Sequence, residues 1–117
     1  SATQVLAACL MLAAQTYDVP PAVLVGIYKV EEINTIWMPD LASRWQVSTE
    51  PARRWVRDDA CTNVGVAAWI LGNHFKETGS LSKAIAHYHS RTPLHGTKYR
   101  SKVVNTMKAA GLVRAAR

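Results

Sequence analysis

Glu31 ends the segment Val19-Pro-Pro-Ala-Val-Leu-Val-Gly-Ile-Tyr-Lys-Val-Glu31, which is apolar almost to its last residue. Glutamate is among the residue types least often buried without a partner. A carboxyl group at the end of such a helix either points to water or sits against apolar walls. In the second case desolvation raises its pKa and keeps more of it protonated near neutrality. That is the state a general acid needs.

The other acidic residues are easier to explain. Asp18, Asp58 and Asp59 stand where helix caps stand. Glu50 is a first-turn acid that suits the helix dipole. Glu77 falls in a polar last turn. Only Glu31, Glu32 and Asp40 lack such a job. Glu31 and Glu32 are adjacent, and adjacent helical residues do not face each other. A glycosidase with two carboxylates needs them on opposite sides of the scissile bond, and no second acid offers itself here.

A second dense stretch is His87-Tyr88-His89-Ser90-Arg91-Thr92-Pro93, where a helix gives way to a loop. Tyr88 can place a hydroxyl while its ring packs. His87 and His89 diverge as i,i+2 neighbours on a helix, which argues against a shared metal ion. A nucleophile built from His89 and Ser90 lacks a supporting motif. Asn34, Trp37 and Tyr99 have the types that line a sugar groove, although Trp37 and Trp69 fit a core equally well.

These residues need helices to position them. Apolar residues recur at helical spacing over 3–16, with Val5, Leu6, Cys9, Leu10, Leu12 and Ala13 on one face. Pro20-Pro21 stops that helix and opens a second, over about 20–31. Residues 33–45 predict a short helix interrupted early by Pro39. Ser48 caps another, to Arg57. Asp58 or Asp59 caps the longest, over 60–78, and Gly79 ends it. Ser80 opens a helix through Tyr88, 90–96 read as a loop, and a last helix covers 97–110. No strand pattern or internal repeat is present. The expected fold is all-α, one domain over 1–117, made of several short helices.

Composition narrows the partners. The chain has 117 residues, of which 49% are apolar, enough for one core. Its longest apolar run, Val5 to Ala14, is too short to span a bilayer. No complete signal peptide is legible, and Ser1-Ala2 reads as a mature N-terminus or a cut boundary. A net charge of +6, concentrated in Arg53-Arg54-Arg57 and from Arg91 onward, favours anionic partners: nucleic acid, lipid headgroups or acidic wall polymer. A solvated basic surface is the plainer account of the tail. Cys9 and Cys61 are either two buried thiols or one disulfide. We favour the disulfide, which belongs to an oxidising compartment. No metal-ligand spacing accompanies them.

Taken in order, four segments resemble the lysozyme-like lytic transglycosylases of the soluble-lytic-transglycosylase type, especially small ones encoded with conjugation and secretion machinery. They are Val19 to Glu31, Ile33-Asn-Thr-Ile-Trp-Met-Pro39, Cys61-Thr-Asn-Val-Gly-Val-Ala-Ala-Trp-Ile-Leu71 and Ala86-His-Tyr-His-Ser90. The resemblance implies a lysozyme-like fold in the periplasm, acting on peptidoglycan glycan strands beside an envelope-spanning machine. It implies cleavage of the β-1,4 bond between N-acetylmuramic acid and N-acetylglucosamine, leaving 1,6-anhydro ends. One glutamate serves as acid and then base, so a single carboxylate suffices. By position Glu31 matches that glutamate, Tyr88 the tyrosine that supports it, and Asn34 a cleft residue, with Ser90 beside Tyr88. Cys9 and Cys61 fall where related small members carry a helix-tying disulfide. No cofactor, metal, nucleic acid or membrane span is implied.

The chain departs from that family after Glu31. A polar loop ending in Gly-x-Met-Gln belongs between the glutamate and the Ile-Asn pair, whereas here Glu32-Ile33-Asn34 follows at once. A true deletion strips one wall from the cleft. An omitted loop instead predicts a Cα separation between Glu31 and Glu32 well beyond ~3.8 Å, and this is the reading we favour. Three alternatives stand beside the transglycosylase: a hydrolytic muramidase of the same fold, a basic helical nucleic-acid-binding module using Lys98, Arg100 and Lys102, and a non-catalytic wall-binding domain.

Overall fold

The computed structural model describes residues 1–30, 33–89 and 93–112, the side chains of 93 and 94 apart. Among them are seven α-helices and no strand: α1 (Ala2–Tyr17), α2 (Pro21–Val30), α3 (Met38–Trp45), α4 (Thr49–Asp58), α5 (Ala60–Thr78), α6 (Leu81–His89) and α7 (Pro93–Ala109). A single 3-10 turn, Thr35–Trp37, leads into α3. The domain is all-α, and among the described residues no single helix is long and apolar enough to cross a membrane.

Local chemistry explains most boundaries. Ser1 accepts a hydrogen bond from the Gln4 amide while the Gln4 side chain reaches back to the N-terminus, a capping box that starts α1. Asp18 closes α1 in the left-handed region, at φ 56°. Pro21 then stands at the first position of α2, where its missing N–H costs nothing. The cap of α5 is Asp59, whose carboxylate accepts from the Cys61 amide and the Thr62 hydroxyl. Asp58 instead pairs with Arg57, at 2.7 Å. Gly79 ends α5 at φ 67°.

Two prolines sit differently from expectation. Pro39 does not interrupt α3; it lies in its first turn, behind the 3-10 segment. Pro93 begins α7, so that helix starts four residues earlier than the predicted 97. In both cases proline fits a first turn, where the amides are unpaired anyway.

The central element is α5, which touches α1, α2, α4 and α6. Its buried positions are Val64, Val66, Ala67, Ala68, Ile70, Leu71, Gly72 and His74, far more than one stripe. A helix buried on several sides has no single apolar face to read. Around it α2 and α6 both pack on α7, and α3 packs on α4. Leu24, Ile27, Val64, Ile70, Leu71 and Val103 are sealed completely. Each sealed aliphatic side chain contributes about 1.5–3 kcal/mol.

Close approaches between helices rest on two glycines. A Cβ on Gly26 would meet Met107 Cγ at 2.8 Å and Val103 Cγ1 at 3.0 Å, so α2 reaches α7 only without one. A Cβ on Gly72 would lie 3.0 Å from the Tyr17 carbonyl oxygen, where α1 ends against α5. A covalent tie adds to this contact: Cys9 on α1 and Cys61 on α5 form a disulfide, with Cα atoms 5.4 Å apart.

Candidate active site

Helix α2 is apolar except for Lys29 in its last turn and ends at Val30, which packs partly buried against the core. The chain re-enters the described residues at Ile33, buried at 8% exposure. Glu31 and Glu32 lie between these points and outside the described residues, as does Ser90. The expected break between Glu31 and Glu32 falls on the same residues.

Tyr88 projects from α6 into the interior, with its hydroxyl buried. Its ring stacks on Tyr99 of α7, with centroids 6.1 Å apart and planes 8° from parallel. His89 stacks on the same Tyr99 ring at 5.0 Å. Tyr99 is 3% exposed, so it supports Tyr88 from inside the core and does not line an open groove. One turn along α7 from Tyr99, Val103 meets Gly26 of α2. Helix α7 thus joins α2 and Tyr88 in one packed unit.

Asn34 is exposed and has a local job. Its Oδ1 accepts a hydrogen bond from the Ile36 amide at 3.0 Å, capping the 3-10 turn. Beside it a cavity of about 160 Å³ opens between the Ile33–Thr35 segment and α4, with Arg53, Arg57 and Asn63 in its wall. Asn63 donates to the Val56 carbonyl at 3.1 Å, tying α5 to the last turns of α4. The two arginines are not bare charges. Arg53 holds Glu50 through two contacts, of 3.2 and 3.4 Å, and Arg57 holds Asp58. The Arg53 hydrogen bond pulls the Glu50 carboxyl below its ordinary value, and the Arg57 hydrogen bond does the same for Asp58. The wall is therefore held in place and close to neutral as a unit.

A histidine pair, His74 buried and His87 half-buried, escapes the one-dimensional reading. His74 on α5 is 5% exposed, with ring-edge contacts to Trp37 at 6.0 Å and to His87 of α6 at 6.1 Å. Its Nδ1 lies 3.9 Å from the Glu77 carboxylate. A signal was present: position 74 follows Ala67, Ile70 and Leu71 at helical spacing, on the buried side of α5. His87 turns to His74 while His89 turns to Tyr99, so the two diverge across α6. Among the described residues no three His, Cys, Asp or Glu side chains converge as a metal site. On α7, Arg100 donates to the Ser82 hydroxyl at 2.8 Å, a contact that links α7 to α6.

No known protein family, curated protein or solved structure matches this chain.

Proposed function

We propose that the protein is a periplasmic peptidoglycan lytic transglycosylase with Glu31 as its one catalytic acid and base. The observation that carries this reading is the α2–α7–α6 unit. An apolar helix leads up to Glu31, and the same α7 that packs on it holds a buried tyrosine hydroxyl on α6. The ordered resemblance of four segments supplies the reaction.

In that reaction the Glu31 carboxylic acid gives its proton to the glycosidic oxygen as the C1–O bond breaks. The resulting carboxylate then takes the proton of the C6 hydroxyl on the same muramoyl unit. O6 closes on C1, giving the 1,6-anhydro ring and restoring the acid. No water is consumed, and no second carboxylate is required, in keeping with the shortage of other free acids. Tyr88 supports the glutamate, and Asn34 and Ser90 belong to the cleft. The net charge of +6 favours the acidic wall polymer as partner, and machinery that spans the envelope is the setting.

A second reading rests on one observation. Only two residues separate Glu31 from Asn34, where the family carries a longer loop. A shortened wall favours a non-catalytic domain that holds glycan strands.

Digestion of purified peptidoglycan with the protein and with Glu31→Gln decides among these. Muropeptides with 1,6-anhydro ends, absent with Glu31→Gln, support the transglycosylase. Reducing ends make it a muramidase. Intact sacculi with both proteins leave the non-catalytic domain.

A further inference from the structure

Three glycines lie in the interiors of α2 and α5. Gly26 and Gly72 are required by close helix contacts, as described above. Gly65 is not: a Cβ there would meet no atom within 4 Å. Glycine inside a helix costs roughly 1 kcal/mol relative to alanine, and packing gives no reason to bear that cost at 65.

The space over Gly65 is a cavity of about 210 Å³ between α1, α3 and α5. Its walls include Tyr17, Trp45 and Trp69, with Arg44 at the side. Each indole packs against another indole. Trp45 meets the edge of Trp55 at 5.6 Å, and Trp69 meets Trp37 at 5.4 Å. The Arg44 guanidinium lies over the Trp69 ring at 4.7 Å, and its Nε donates to Asp40 at 3.4 Å. The aromatic walls are therefore positioned before any ligand arrives, which lowers the cost of binding.

We infer that this cavity is a sugar-binding site, taking one pyranose ring of a glycan, and that Gly65 is its floor. Ligand sites combine aromatic walls with a few placed polar groups. A pyranose presents an apolar C–H face to the Trp45 indole, the Trp69 face being taken by Arg44, and a rim of hydroxyls. Arg44, which lines the cavity, offers that rim hydrogen-bond donors. A cationic ligand is disfavoured, because Arg44 already covers the Trp69 face. A flat aromatic ligand would leave Arg44 without hydroxyl partners. Sites for drug-sized ligands span roughly 300–1,000 Å³, so this smaller one holds a single ring, with the strand continuing across the open mouth. Only the identity of the glycan, N-acetylated wall polymer, rests on the function proposed above; the site itself does not.

The test is a titration of the ¹⁵N-labelled full chain with chitotetraose, reading the indole N–H signals of Trp45 and Trp69. Saturable shifts at both are expected. Gly65→Leu fills the floor and should weaken binding at least about tenfold, with an unchanged circular dichroism spectrum. Arg44→Ala, at an exposed position, should weaken it to a similar degree and stands in if Gly65→Leu folds poorly. Glu31→Gln should leave the shifts in place, so loss of cleavage and loss of this site are separate results. Absence of shifts at Trp45 and Trp69 in the parent protein overturns the proposal. So do undiminished shifts in a folded Gly65→Leu.

Discussion

Tyr88 of α6 and Tyr99 of α7 stack with their rings 8° from parallel, and both hydroxyls are buried. Stacked aromatic pairs add about 0.5–1.5 kcal/mol beyond the area they bury. The two tyrosines nevertheless have different expected roles, and substitution separates them. Tyr99→Leu removes the platform and should lower stability by about 2 kcal/mol in urea denaturation. Tyr88→Phe keeps the stack, and its stability should fall by no more than about 1 kcal/mol. On the proposed function, its rate of anhydro-muropeptide release should drop by about tenfold or more, the kinetic equivalent of losing one hydrogen bond to a charged group. Cleavage at the parental rate would remove Tyr88 from the mechanism.

The α5 glycines predict effects of opposite sign. Gly65→Ala adds a Cβ into open space and should stabilise the protein by about 1 kcal/mol. Gly72→Ala places its Cβ 3.0 Å from a backbone oxygen, which yields less readily than a side chain. It should destabilise by about 1–3 kcal/mol despite the gain in helix propensity. Urea midpoints for the two variants measure both.

The disulfide between Cys9 and Cys61 spans 52 positions of sequence. Constraining a loop of that length in the unfolded chain is worth about 4 kcal/mol in the chain-entropy treatment. A Cys9→Ser/Cys61→Ser double variant should lose stability of that order. Thermal melts of the parent with and without reductant should show the same displacement.

Acid should weaken the α4 region in a defined direction. Glu50 and Asp58 both have folded-state pKa values below their ordinary 4.5 and 3.8. A depressed carboxyl pKa contributes stability above the unfolded value, and the contribution disappears as pH falls through the folded value. The loss should therefore begin near pH 4.5 and grow below it. Both groups are fully exposed, so the effect should be small and should shrink with added salt. Urea melts between pH 3 and 6, at low and high ionic strength, with Glu50→Gln as the comparison, check this.

Much of the helical framework was legible in the residues, because caps and stops are local. Asp59 before α5 and Gly79 after it act through their own backbone neighbours, and their types announce them. Asn34 was read only for the cleft, yet its side chain caps the 3-10 turn, another local effect that the residue type permits. Pro39 and Pro93 were ambiguous for a local reason too: proline both ends one helix and suits the first turn of the next.

Other features depended on which helices cross where. Helical period puts His74, Tyr99 and Gly65 on faces of α5 and α7, but it does not say what those faces meet. Tertiary packing placed His74 between Trp37 and His87, sank Tyr99 beneath Tyr88, and left Gly65 open beneath two indoles. The sequence by itself determined an all-α domain and its caps, and singled out Glu31 as the candidate acid. The pairing of α6 with α7 and the cavity over Gly65 were decided by the tertiary structure, because contacts between distant segments depend on crossing geometry that no local spacing encodes.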